Sequence, residues 1–257
     1  MKLKYLVPRP LRHWLNLRRE VAERAWIHVD RVTDWSVLRR TRPYRKRFGE
    51  RRGECIDRYY IEKFLHTHRL SIRGRVAEFL ADDYALRFGD NRVEHIDVLD
   101  IDETNLRRTI TLDLATTDAA PSALFDCIIC TQTLFLIYDY RSAICSLRKM
   151  LRPGGTLLVT VPGICQILPP DMLGGAASDW WRFTGAAIHR IFAEIFGAEN
   201  ISVETYGNVQ TAVAQLHGLV QEEFTQAEVD YHDPDYEVTI GVKATRAAQN
   251  AVLDSDQ

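Results

Sequence analysis

Apolar positions along the chain follow two regimes. Over residues 8–35, Leu11, Trp14, Leu15, Ala22, Ala25, Trp26 and Val29 recur near helical spacing, with Arg12, Arg19, Glu23 and Arg24 elsewhere on the wheel. That spacing predicts an amphipathic helix. A basic connector over residues 39–53 follows, around Pro43 and Gly49, and a second helix is expected over Ile56–His68. From residue 75 the pattern changes to short apolar runs alternating with helical segments, as in a parallel sheet with crossover helices. Strands are expected at Arg75–Leu80, Val93–Leu99, Thr109–Leu114, Phe125–Thr131, Thr156–Val161, Ile201–Tyr206 and Tyr236–Ala244. A helix over Arg141–Leu151 should stop at Pro153-Gly154-Gly155. Another should run over Thr184–Phe196 with Thr184 as its N-cap. The pattern therefore predicts an α/β fold, a Rossmann-like seven-stranded mixed sheet with helices on both faces, plus an N-terminal helical extension.

The domain organisation expected is a basic helical extension over 1–52, an α/β domain over 53–245 with an insertion at 207–233 that is helical near Val213–Phe224, and a polar tail over 246–257. The 257 residues suit one such domain with an extension and can bury a core without disulfides or metals. Net charge is −2, but residues 1–52 hold 16 Lys and Arg against 5 Asp and Glu, and the rest of the chain is correspondingly acidic. Such asymmetry points the basic segment at something acidic. The acidic body of this chain, a protein partner or a second copy is favoured over an anionic membrane surface, and the sequence has no stacking-aromatic ladder or recognition motif for nucleic acid. The five cysteines are odd in number, and neither a secretory core nor an apolar run long enough for a membrane span is present, which reads as a reducing cytoplasm. Cys127 and Cys130 have C-x-x-C spacing but fall in a buried strand with no second pair at ligand distance, so no metal is expected.

Phe125-Asp126-Cys127-Ile128-Ile129, followed by Leu147-Arg148-Lys149-Met150-Leu151-Arg152-Pro153-Gly154-Gly155-Thr156-Leu157-Leu158, resembles the fourth-strand-to-fifth-strand stretch of class I S-adenosylmethionine (SAM)-dependent methyltransferases. Arg52-Gly53, the run Ile56–Glu62, Gly74-Arg75-Val76, Trp181-Arg182-Phe183-Thr184 and Tyr206-Gly207-Asn208-Val209 resemble a bacterial subgroup associated with glycosyltransferases or biosynthetic gene clusters. The likeness covers about residues 48–245. It implies SAM as cofactor, S-adenosylhomocysteine as its product, and O-methylation of a small molecule such as a sugar or natural-product intermediate. The alternative it carries is a methyltransferase-fold protein that has lost methyl transfer and serves as a repurposed catalyst, such as a cyclase, or as a binding or scaffold subunit.

The resemblance also proposes site residues. Glu78 matches the acid that ends the first strand. The glycine-poor loop after it keeps Leu80 where the subgroup has glycine, placing a bulky side chain where backbone and ligand normally meet. The loop then either binds the cofactor in a shifted shape through Asp82, Asp83 and Tyr84, the favoured outcome, or the pocket is filled and the cofactor lost. The ribose-binding acid is expected at Asp97, with Asp100 and Asp102 as alternatives. Asp113 and Leu114 match the adenine position, Thr131 and Gln132 the far side of the cofactor, and Tyr59 and Tyr60 the pocket closure from the preceding helix, or else core aromatics. Candidate general bases are Tyr138, Asp139, Asp179, His217 and His232, with His217 preferred because insertions of this kind cap substrate pockets. Arg182 is a candidate anion anchor or a pin for the Pro/Gly-rich stretch before it, and Trp181 a stacking surface for the substrate or a packing group.

Overall fold

The computed structural model of the chain describes residues 40–49, 53–116, 118, 120–173 and 178–248. The expected helix over 8–35 and the end of the polar tail lie outside them. Two compact units divide the chain, Met1–Arg42 and Pro43–Gln257, and the second carries everything below.

Seven strands form one sheet in the order β3-β2-β1-β4-β5-β7-β6. They are β1 (Gly74–Phe79), β2 (Val93–Asp100), β3 (Ile110–Thr111), β4 (Phe125–Thr131), β5 (Leu151–Pro162), β6 (Ile201–Tyr206) and β7 (Thr239–Thr245). The first five run parallel, and β7 lies antiparallel between β5 and β6. The helices are α1 (Ile56–Thr67), α2 (Asp83–Gly89), α3 (Tyr140–Met150), α4 (Gly185–Phe196), α5 (Val209–His217) and α6 (Gln226–Asp230). Among the described residues no helix is long and apolar enough to cross a membrane.

The two-residue side-chain period of a strand decides which layer each residue joins. On β4, Ile128 and Cys130 face a core made with Ile144 and Leu147 of α3 and Ile188 and Phe192 of α4. Cys127 and Ile129 face the opposite core, with Ile61, Phe64 and Leu65 of α1 and Phe88 of α2. The C-x-x-C pair is thereby split across the sheet and cannot share a metal. Burial pushes the Cys130 thiol up to about 12 and Cys127 upward as well, so both are inert packing groups.

Local chemistry explains most boundaries. Thr184 caps α4 by accepting the Ala187 N–H at 3.2 Å, and Asp139 caps α3 through the Ser142 N–H at 3.1 Å. The Pro-Gly-Gly segment does not end as a free turn but enters β5. Gly154, at φ 81°, donates its N–H to the Arg246 carbonyl at 2.7 Å, which carries the strand past the helix end. The third strand is far shorter than expected, because Asp113 accepts the Ala115 N–H at 2.9 Å and turns the chain out of the sheet. In the insertion, Asn208 and Thr211 form a reciprocal cap that starts α5, and Gly218 ends it in the left-handed conformation.

Where β7 passes beneath α1 there is no room for a side chain. A Cβ on Gly241 would lie 2.5 Å from the ring of buried Phe64. Gly241→Ala should therefore cost about 1–3 kcal/mol through overpacking. Urea unfolding would read this as a lower midpoint at unchanged slope, and an unchanged midpoint would contradict the packing described here.

Candidate active site

The site begins where β1 ends. Glu78 is 3% exposed, and its carboxylate accepts the N–H of Tyr84 at 3.1 Å and of Ala85 at 2.7 Å, the first amides of α2. Those amides have no partner within their helix, so the acid closes a gap the helix cannot close itself. Burial raises the Glu78 pKa to about 7 even though both hydrogen bonds pull it down. Between strand and helix the chain must reverse within a few residues. Leu80 takes the left-handed conformation, φ 69°, that an L-residue adopts only at a cost. Its N–H donates to the Leu99 carbonyl at 3.0 Å, and its carbonyl accepts from Asn105 Nδ2 at 2.9 Å. The turn thus holds leucine in a conformation that glycine adopts freely.

A cavity of about 540 Å³ opens beside this turn. One wall is the strand tips: Glu78 and Phe79 at the end of β1 with Leu80 and Ala81 after it, Thr131 at the end of β4 with Gln132 after it, and Pro162 at the end of β5. The opposite side is built from Asp57, Arg58 and Ile61 of α1 and Gln215 of α5, with Phe48, Phe135, Leu168 and Met172 adding apolar surface. Gln132 is also in a left-handed conformation, φ 46°, and its Nε2 is buried without a hydrogen-bond partner. The segment before α1 closes over the body. The Arg45 N–H donates to the His217 carbonyl at 3.0 Å, and Arg47 forms an ion pair with Asp171.

Of the residues the sequence nominated, Glu78, Leu80, Asp83, Tyr84, Thr131, Gln132 and Arg182 line this cavity, and the others do not. Asp97 is corrected as the ribose acid. It sits mid-strand opposite Ala77, with Arg75 Nε at 2.7 Å; burial raises its pKa, but the Arg75 hydrogen bond and charge outweigh that and leave it lowered. The acid at the tip of β2 is Asp100, 5% exposed, which accepts from the Asp102 N–H at 2.9 Å and from Asn105 Nδ2 at 2.7 Å. Asp82 faces Arg107 at 3.4 Å, while its neighbour Asp83 lines the cavity. Asp113 is exposed in its turn, and Leu114 is buried in the core and unable to pack on a ligand. Tyr60 gives its hydroxyl to the Val229 carbonyl at 2.9 Å, and Tyr59 to Asp230 at 2.7 Å, so both tyrosines fasten α1 to α6.

The proposed bases fare the same way. His217 packs edge-on to Tyr44, ring centroids 5.3 Å apart, outside the cavity. Asp179 accepts two Arg182 donors, at 2.5 and 2.8 Å, and Arg182 also donates to the Gln166 carbonyl at 2.6 Å. Arg182 therefore pins its own loop, and the anchor role is not available to most of its donors. Tyr138 is exposed and packs on Trp180 and Trp181, and the Trp181 Nε1–H donates to the Ile137 carbonyl at 3.1 Å. His232 meets Thr205 at 2.9 Å on the far edge of the sheet. Among the described residues no His/Cys/Asp/Glu group could hold a metal. Asp57 and Arg58 fall in the Ile56–Glu62 run of the resemblance but were given no role there, and Gln215 was not singled out; its only signal is polarity on α5 beside buried apolar neighbours.

The residues at the strand tips fit an adenosyl cofactor. A buried acid lies at the end of β1, a second buried acid ends β2 with acceptor capacity beyond its two bonds, and an unpartnered amide follows β4.

Residues 73–159, about a third of the chain, match the family described as "Methyltransferase domain". A SAM-dependent methyltransferase from Mesorhizobium loti superposes with a TM-score of 0.50 at 15% identity, covering 74% of this chain and 98% of that one. A Burkholderia thailandensis 1,6-didemethyltoxoflavin-N1-methyltransferase, solved with its substrate and S-adenosylhomocysteine, reaches 0.46 at 14% identity over 94% and 92%. The [4+2]-cyclase SpnF gives 0.46 at 12% identity over 74% and 81%. No curated protein sequence matches the chain. The chain shares the fold of the Mesorhizobium loti methyltransferase.

Two outcomes follow from the turn. Leu80→Gly should shift stability by less than about 1 kcal/mol, since relief of the left-handed strain offsets the entropy that glycine loses. Leu86→Gly, inside α2, should lose about 1 kcal/mol. Chemical denaturation of both variants separates them, and an equal loss would contradict the conformation of Leu80. Because the Glu78 pKa rises from 4.5 to about 7 on folding, its protonated form is the one folding favours. Its contribution is complete below about pH 4.5 and is lost as pH rises through 7, a change on the order of 3 kcal/mol. Unfolding free energies measured at pH 5 and pH 8 should converge in Glu78→Gln, and an unaltered pH slope would contradict this.

Proposed function

We propose that this chain is a SAM-dependent methyltransferase that methylates a hydroxyl of a small molecule. The observation that carries the reading is the cavity at the tips of β1 and β4, where Glu78, the left-handed Leu80 and the unpartnered Gln132 amide meet. Open α/β sheets bind ligands at the carboxyl ends of their strands. When bound, SAM supplies an electrophilic methyl group on a sulfonium that is already an excellent leaving group. The protein's own work is then alignment and exclusion of water. Leu80 and Gln132 would flank the methionine portion, and Asp100, outside the cavity lining but tied to the Leu80 turn through Asn105, would accept from a ribose reaching past that turn. Phe48, Phe135, Leu168 and Met172 supply the apolar lining that keeps the reacting end dry.

Leu80 also favours a second reading. Its half-exposed side chain projects at a position that carries no side chain in the resembling subgroup, which suits a methyltransferase-fold protein turned to another catalysis or to a binding role. The basic charge of residues 1–52 suits contact with a protein partner or a second copy of the chain.

Isothermal titration with S-adenosylhomocysteine distinguishes the two readings of the pocket. One site with micromolar affinity is expected, tightened in Leu80→Gly. A folded protein that gives no heat with S-adenosylhomocysteine or SAM would remove the methyltransferase reading and leave the architecture.

A further inference from the structure

The cavity has a second polar group away from the strand tips. Asp57, in the first turn of α1, and Gln215, in the last turns of α5, lie together: the Asp57 N–H donates to Gln215 Oε1 at 3.3 Å. Only an oxygen can accept that bond, so the amide's orientation is set and its Nε2 is the atom left over. Gln215 is 1% exposed; its amide bears on the Asp57 carboxyl, whose pKa it pulls down, but Nε2 completes no hydrogen bond of normal geometry. An unsatisfied buried donor costs about 1–3 kcal/mol, which makes it a feature needing an explanation. The Asp57 carboxylate accepts the Arg58 N–H at 2.9 Å through Oδ1. Burial, the largest influence on it, holds its pKa above the usual carboxylate range despite the neighbouring Arg58. Both residues line the cavity.

We infer that Asp57 and Gln215 form the acceptor subsite, and that it takes a neutral, hydroxyl-bearing molecule with an apolar body. The inference rests on the methyltransferase reading for its cofactor but on different residues. The Asp57 carboxyl offers oxygens that accept a hydrogen bond, and Gln215 Nε2 can only donate one. A hydroxyl is the small group that does both at a single atom. An ammonium would leave Gln215 unsatisfied, and a carboxylate or phosphate has no hydrogen to give the Asp57 oxygens. Two of the cavity's cations already pair with an acid, Arg47 with Asp171 and Arg182 with Asp179, and Arg58 stands beside Asp57 and bonds the Tyr84 hydroxyl. The remaining walls, Phe48, Phe135, Leu168 and Met172, match an apolar body. With the strand tips assigned to the cofactor, the helix wall is the surface left for the second ligand.

Ligand-observed NMR with phenol, anisole, benzoate and phenyl phosphate tests this on the full chain, with and without S-adenosylhomocysteine. Phenol should bind about tenfold more tightly than anisole, which has lost the donor, and ahead of both anions. Asp57→Asn should remove most of the phenol preference while leaving anisole unchanged. Gln215→Glu keeps the acceptor for the Asp57 N–H, replaces the donor, and should act likewise; it provides an independent reading if the first variant melts early. Equal binding of phenol and anisole, preference for an anion, no binding of any probe, or equal loss of all probes in the variants would each overturn the subsite. If phenol is preferred but S-adenosylhomocysteine gives no heat, the subsite stands and the methyltransferase reading fails.

Discussion

The site depends on one buried carboxylate. Glu78 ends β1 inside the protein and satisfies the first amides of α2, and the strand-tip side of the cavity is placed by those bonds. An acid buried to this degree is expensive, and folding tolerates it because the helix amides would be equally costly without a partner. With β1 and α2 held this close, the connecting residues have to reverse sharply. That forces Leu80 into a left-handed conformation and turns its side chain to the cavity rather than the core. Asn105 then ties the same turn to Asp100, so the tips of β1 and β2 are held as one unit.

This arrangement divides the cavity into two chemically different walls. The strand tips carry acids and amides fixed by the sheet register, which suits a ligand with many polar groups. The helix wall has few polar atoms, and those belong to α1 and α5, which are joined to each other through the Asp57–Gln215 bond and to the sheet through packing. A protein built this way can retain the geometry of one ligand while the other wall changes, because the two sets of residues sit on different elements. The apolar residues between them keep water away from the place where the two ligands would meet.

Much of the fold was legible because strand and helix periods differ so clearly. β4 and β6 fall where alternation and apolar runs place them, and Thr184 caps α4 as its side chain suggests. The third strand was over-read because Leu112 and Leu114 look like strand residues, while the Asp113 turn that removes them from the sheet is a side-chain event invisible to hydrophobic patterning. The site was harder to read. Asp97 and Asp100 both sit on a strand end by sequence, and only register shows that Asp97 belongs to Arg75. His217, Asp179 and Tyr138 carried suitable chemistry but pack away from the cavity. Asp57 and Gln215, distant in sequence, meet only because α1 and α5 cross.

A crystal structure of the protein with S-adenosylhomocysteine would be the most direct examination of this account. The ligand should lie across the tips of β1, β2 and β4, with its amino-acid end against Gln132, its ribose at Asp100 and the Leu80 side chain turned aside. A saturated crystal in which the Leu80 side chain still fills that space, with the ligand elsewhere or nowhere, would contradict it.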